Sequence, residues 1–155
     1  MAAVDTATNL AEIHDAWHGL KDAGDWLICG LDGNTLVLEG QGKGGIDELR
    51  SKFDDSKVQW GALTVIAVDE LSGVETRSRN RVSVSFFGAS VGAMRKSQLA
   101  QHKGAVKDQV FPGNSATLDL HEPADLTTQD IVEKLTKKSH KPNSLDFGGG
   151  VSVQL

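Results

Sequence analysis

A single cysteine, Cys29, leaves this chain without an internal disulfide. Its core must therefore rest on packing alone, for which 155 residues suffice in one domain. Aromatics are scarce, at 5%. No apolar run approaches the ~20 residues of a membrane-spanning helix. The opening MAAVDTATNL lacks the cationic and apolar regions of a secretory signal. These absences point to a cytoplasmic chain with no membrane span. The formal charge of -5 and a pI near 5.5 argue against a general nucleic-acid binder.

The most telling absence is local. Residues 77–107 contain no Asp or Glu, yet hold seven of the sixteen Lys and Arg residues. Arg77, Arg79 and Arg81 alternate at its start, and Arg95, Lys96, Lys103 and Lys107 follow. A concentrated cationic surface on an anionic chain suits docking to an acidic partner; the plainer alternative is a solvated face of surface cations.

Residues 8–23 read as an amphipathic helix, with Leu10, Ile13, Trp17 and Leu20 on one side. Two short strands joined by Asp32-Gly33-Asn34 form a hairpin. After Gly-rich GQGKGG comes a short helix over 46–53. Val58 to Val68 is the most strand-like segment of the chain, and Arg79 to Phe87 returns antiparallel to it. In the returning strand Val82, Val84 and Phe86 alternate with Arg81, Ser83 and Ser85, which predicts one apolar and one polar face. One long helix is expected over about 93–110. Gly104 inside it costs on the order of 1 kcal/mol relative to Ala, which suggests close packing or a contact there. A last strand over 115–121 precedes a helix whose Ile131, Val132 and Leu135 face inward, and whose Lys134, Lys137 and Lys138 lie outward or near its end. From Ser139 onward, a Pro and a Gly triplet predict a flexible tail. The expected organisation is thus one domain over 1–138 and a tail over 139–155, of α/β (α+β) class with a mixed sheet sandwiched by helices.

Other signals carry less. Gly40 to Gly45 satisfies G-x-G-x-x-G, but its strand is the second arm of an antiparallel hairpin, whereas a dinucleotide site needs a parallel βαβ unit. His14 and His18 lie one helical turn apart without obvious further metal ligands. Cys29, in an apolar strand, reads as a buried, inert thiol. No metal or cofactor is expected.

The order of elements, with S-G-V-E-T-R-S-R-N-R-V, S-F-F-G, V-G-A-M-R-K and H-K-G-A-V-K in the central block, resembles the ADF-homology (ADF/cofilin) family, and within it the coactosin branch. The resemblance covers roughly residues 8–138 and implies an ADF-homology fold with a central five-stranded mixed sheet. It implies a non-catalytic, cytoskeletal actin-binding protein that prefers filaments to monomers. One filament surface would combine Arg79 and Arg81, extended by Arg77, with Lys134, Lys137 and Lys138. A second would run along the long helix through Lys96, with Arg95 and Lys103 adding contacts. Ala2 and Ala3 stand where the depolymerising branch has a regulatory serine, and the long helix lacks an aromatic typical of strong monomer binders. Both departures favour a filament binder, here expected to be monomeric. Charge reversal at Arg81 with Lys137 is expected to weaken filament binding without unfolding the domain. The same patch has an alternative use in binding an anionic ligand such as a nucleic acid or an acidic phospholipid. A small enzyme built on the Gly-rich loop is a third reading.

Overall fold

The computed structural model describes residues 4–137 and 141–155. In order these form α1 (Leu10–His18), β1 (Trp26–Asp32), β2 (Thr35–Gly42), α2 (Ile46–Arg50), β3 (Val58–Leu71), β4 (Val74–Phe87), α3 (Ala93–Ala100), α4 (Lys103–Val110), β5 (Ala116–Leu120), α5 (Thr128–Thr136), β6 (Ser144–Gly148) and β7 (Val151–Gln154). The strands run β2-β1-β3-β4-β5, antiparallel except for the parallel β4–β5 pair. This is a mixed α+β sheet with helices on both faces.

The frame is the β3–β4 pair. Both strands are 14 residues long and pair without interruption from Val58↔Phe87 to Leu71↔Val74. The two-residue turn between them places Ser72 at φ 54° and Gly73 at φ 80°. Positive φ at both positions gives a turn whose twist matches that of the strands, so the ladder continues to its tip. The strands accordingly run further than the hydrophobic pattern alone predicts. Their inner halves are buried on both faces, whereas residues 70–79 are exposed. The outer half therefore projects as a two-stranded arm.

The pleat separates two apolar layers. Trp26, Ile28, Leu63, Val65, Val82, Val84 and Phe86 meet α2, α5 and β6 on one face. Leu27, Cys29, Trp60, Ala62 and Phe87 meet α1, α3 and α4 on the other. Each large side chain so buried contributes roughly 1.5–3 kcal/mol relative to exposure. The face of β4 expected to be polar is covered as well. Ser83 and Ser85 are buried on the α4 side, and the Ser83 hydroxyl pairs with that of Thr117 at 2.9 Å.

Two further expectations are corrected. The long helix over 93–110 is two helices: His102 N–H donates to the Leu99 carbonyl at 3.0 Å, a tightened last turn, before α4 starts. The break lets Leu99, Val106 and Val110 all reach the sheet. Gly104 packs against nothing, since a Cβ there would meet open space.

The second correction concerns the expected tail, which contains the β6–β7 hairpin. β6 pairs antiparallel with β3 at Ile66↔Asp146, Ala67↔Leu145 and Val68↔Ser144. It lies along the β3 edge that β1 occupies nearer the strand's start, and it brings the sheet to seven strands. Leu145 and Phe147 are buried in the core. The junction of β1 with β6 is made of glycine. Gly24, Gly45 and Gly148 all have positive φ, and a Cβ on Gly24 would stand 2.8 Å from the Gly148 Cα. No side chain fits where these three segments meet.

Candidate functional site

The three alternating arginines of β4 lie on one side of the strand, but their surroundings grade from structural to open. Arg81 is half-buried. Its Nε donates to the Leu20 carbonyl at 3.1 Å and its Nη2 to the His18 carbonyl at 3.4 Å, while the guanidinium lies 5.2 Å from the centre of the Trp17 ring. These carbonyls end α1, where helix acceptors lack backbone partners and carry partial negative charge. Arg81 therefore caps α1. Burial, and secondarily the neighbouring charge of Arg79, lowers its pKa. Arg79 is exposed and gives one bond, from Nε to the Lys21 carbonyl at 3.3 Å. Arg77 is exposed and paired twice, with Glu75 at 3.1 Å and Asp146 at 3.5 Å.

Lys134 and Lys137 are exposed at the end of α5. That helix starts on a side-chain cap, Asp130 N–H to Thr127 Oγ1 at 3.2 Å, and is held down by Ile131. Lys138 lies outside the described residues. Beyond Lys137 the chain returns at Asn143, whose N–H donates to the Val68 carbonyl at 3.0 Å. Val68 pairs in register with Arg77. α5 packs on the Val82/Val84/Phe86 face of the sheet, whereas the three arginines lie on the α1 face, and among the described residues no ion pair holds Lys134 or Lys137.

The remaining nominated cations lie elsewhere. Arg95 binds the β1–β2 turn, with Nη2 to the Gly33 carbonyl at 3.0 Å and Nη1 to Asn34 Oδ1 at 3.2 Å. Lys96 beside it is half-buried, and Met94 is 77% exposed. This second surface sits at the Val58/Phe87 end of the β3–β4 pair, the far end from the arm. Lys103 is engaged within the chain, 3.2 Å from Asp119 of β5.

The Gly-rich loop holds its own anion. Glu48 Oε1 accepts the Trp26 indole N–H at 2.8 Å and the Gly44 N–H at 3.3 Å, so a carboxylate of the chain occupies the start of α2. Loop and strand are antiparallel to β1, not part of a parallel unit. His14 turns its Nε2 to the Gln109 carbonyl at 2.6 Å, which ties α1 to α4. Among the described residues no group of three or more His, Cys, Asp or Glu side chains is placed to hold a metal. The Cys29 thiol is buried and pushed up to about 12 by burial, with the Glu39 and Glu12 charges adding to it. No helix is long and apolar enough to cross a membrane, among the described residues.

Residue-level reading of the sequence missed three contributors. Trp17, taken as core, is also the ring under Arg81. Asn143 and Asp146, assigned to a tail, touch the arm. Only the alternation of Leu145, Phe147, Val151 and Val153 signals that this stretch is sheet.

A long hairpin in a mixed sheet with helices on both faces is the ADF-homology fold. The chain belongs to the cofilin/ADF family: the model described as cofilin/tropomyosin-type actin-binding protein matches residues 6–136. Within that family its similarity runs to the coactosins. It is 28% identical over 138 residues to coactosin of Dictyostelium discoideum, covering 86% of this chain and 88% of that one. Two of the solved structures that share its fold are coactosins. Coactosin from Entamoeba histolytica has a TM-score of 0.71 at 21% identity, covering 88% of this chain and 96% of that one. Mouse coactosin, titled an actin filament binding protein, has a TM-score of 0.67 at 16% identity, covering 90% of this chain and 94% of that one.

Proposed function

We propose that this protein docks on the side of actin filaments through the β4 arm and the end of α5, and modulates filament dynamics without catalysis. The observation that carries the reading is the set of exposed cations, Arg77 and Arg79 on the arm and Lys134 and Lys137 on α5, on an otherwise acidic chain. Support comes also from the fold shared with mouse coactosin, an actin filament binding protein. Actin is acidic, so such a patch would speed encounter and fix orientation more than it sets affinity. Arg79, Lys134 and Lys137 present the exposed charge. Arg77 contributes after exchanging an internal carboxylate for one on actin. Arg81 supports the surface from behind. Arg95 and Lys96 form a second, separate contact, and Lys103 has a smaller part because Asp119 already pairs it. The site of action would be the cytoplasmic actin cytoskeleton, with filaments preferred to monomers.

The test is cosedimentation with filamentous actin across a salt series, for the parent and for Arg79→Glu/Lys137→Glu. These two residues replace the Arg81/Lys137 pair suggested by sequence, because Arg81 is bonded to α1. Saturable pelleting by the parent that persists near physiological salt, and is weakened several-fold in the double variant with an unchanged melting temperature, is expected. Equal pelleting of both proteins would show that the assigned face is wrong. The same cations suit acidic phospholipid headgroups; flotation with phosphatidylserine vesicles checks that use, which should fade faster with salt if it is purely electrostatic.

A further inference from the structure

We infer that the β6–β7 hairpin is a brace that sets the orientation of the arm, and that Asn143 and Asp146 are its positioning residues. The inference rests on the docking reading above. The outer parts of β3 and β4 form a two-stranded ribbon exposed to solvent from Glu70 to Arg79. A two-stranded hairpin alone is marginally stable in water, so a ribbon that must present charges in fixed register needs support from outside itself. β6 provides it along the β3 edge opposite β4.

The contacts reach past the ladder toward the tip. Asn143 donates its N–H to the Val68 carbonyl at 3.0 Å, and its side-chain Oδ1 accepts the Glu70 N–H at 2.6 Å. The Asn143 carbonyl accepts the Leu155 N–H at 2.9 Å, so the far end of the hairpin holds Asn143 in turn. Asp146 divides its carboxylate. Oδ1 accepts the Gly148 N–H at 2.9 Å, which fixes the side chain, and Oδ2 faces Arg77 Nη2 at 3.5 Å. The brace is itself anchored, since Leu145 and Phe147 are 1% and 0% exposed and Gly148 is seated in the glycine junction.

The same segment joins the two halves of the proposed surface. Five residues separate Lys137 from Asn143, and the six steps between them span at most about 22 Å. Fixing Asn143 on the arm therefore limits how far the α5 lysines can stand from the β4 arginines. The hairpin sets the spacing of the surface without needing to touch the partner.

The experiment uses the full-length chain carrying Asn143→Ala, which removes the side-chain acceptor for Glu70 and leaves the charge of the surface, including the Arg77–Asp146 pair, unchanged. Two quantities are read, amide hydrogen exchange in free protein and filament cosedimentation over a salt series. Exchange at Glu70 and along the arm should accelerate at least about tenfold while the inner β1, β3 and β4 amides stay protected. Filament affinity should fall several-fold, and its salt dependence should flatten as cationic contacts are lost. Unchanged exchange in the arm overturns the brace, whatever the pelleting shows. A loosened arm with unchanged pelleting also overturns it, and Arg79→Glu then says which premise failed. If Arg79→Glu weakens pelleting, the arm docks and needs no brace; if it does not, the docking reading itself is wrong.

Discussion

Replacing Arg81 by alanine should destabilise the fold before it says anything about actin. Three contacts are lost: the bond to the Leu20 carbonyl at 3.1 Å, the longer one to the His18 carbonyl at 3.4 Å, and the stacking over Trp17 at 5.2 Å. A hydrogen bond to a charged group is worth about 1.5–3 kcal/mol net. Arg81 is only half-buried, so the shorter bond takes the lower end of that range and the longer one adds little. A partly exposed guanidinium over an aromatic face adds about 0.5–1 kcal/mol. The total is about 2 kcal/mol, which for a domain of this size lowers Tm by roughly 4–8 °C. Thermal unfolding read by tryptophan fluorescence measures it, since Trp17 loses the cation above its ring. Arg81→Lys should recover little, because an ammonium cannot address two carbonyls and a ring in one plane. Arg79→Ala, which gives up one 3.3 Å bond at an exposed position, should stay within about 0.5 kcal/mol of the parent. If Arg81→Ala melts within about 1 °C of the parent, the capping role is refuted and Arg81 returns to the candidate contact surface.

Two further outcomes follow from titrating groups. Cys29, buried and with its thiol pushed up to about 12, should not react with dithiobis(nitrobenzoate) at pH 8 in native protein and should react fully in denaturant; rapid native reaction would show an opening that reaches β1. The Asp5 carboxylate accepts the Thr8 hydroxyl and the Thr8 and Ala7 N–H groups, and these hold its pKa below the usual carboxylate range. A depressed folded-state pKa contributes stability that is present above the unfolded value, about 3.9, and lost as pH falls through the folded one. The Tm difference between the parent and Asp5→Asn should therefore be full near neutral pH and close in acid. A difference that persists undiminished to the lowest pH would sink this account.

Local chemistry made much of this molecule legible. Asp32-Gly33-Asn34 identified the first hairpin, the β-branched run from Val58 identified β3, and Arg77, Arg79 and Arg81 identified one side of β4. What failed was information held by tertiary contacts. Ser83 and Ser85 read as a solvated face because nothing in their neighbourhood says that α4 will lie over them. Arg81 read as a docking charge because its partners are carbonyls sixty-odd residues earlier, and backbone acceptors leave no mark in a sequence. The segment from Ser139 read as a tail because Gly148, Gly149 and Gly150, all with positive φ, dilute a short alternation. Within the candidate site, the exposed cations of β4 and α5 were found by composition; the elements that aim them were not.

The meeting of Gly24, Gly45 and Gly148 also constrains the order of folding. The β1 and α2 sides of that meeting come from the first third of the chain, while β6 comes from its end. Contacts so far apart in sequence carry a high loop-closure cost and form late. During synthesis, the stretch of β3 from Ile66 to Val68 must wait with an open, apolar edge until residues 144–148 have emerged. Exposed edges of this kind recruit other chains. Until then the exposed stretch lies along a sheet whose first five strands can already pair, and the last hairpin is what covers it.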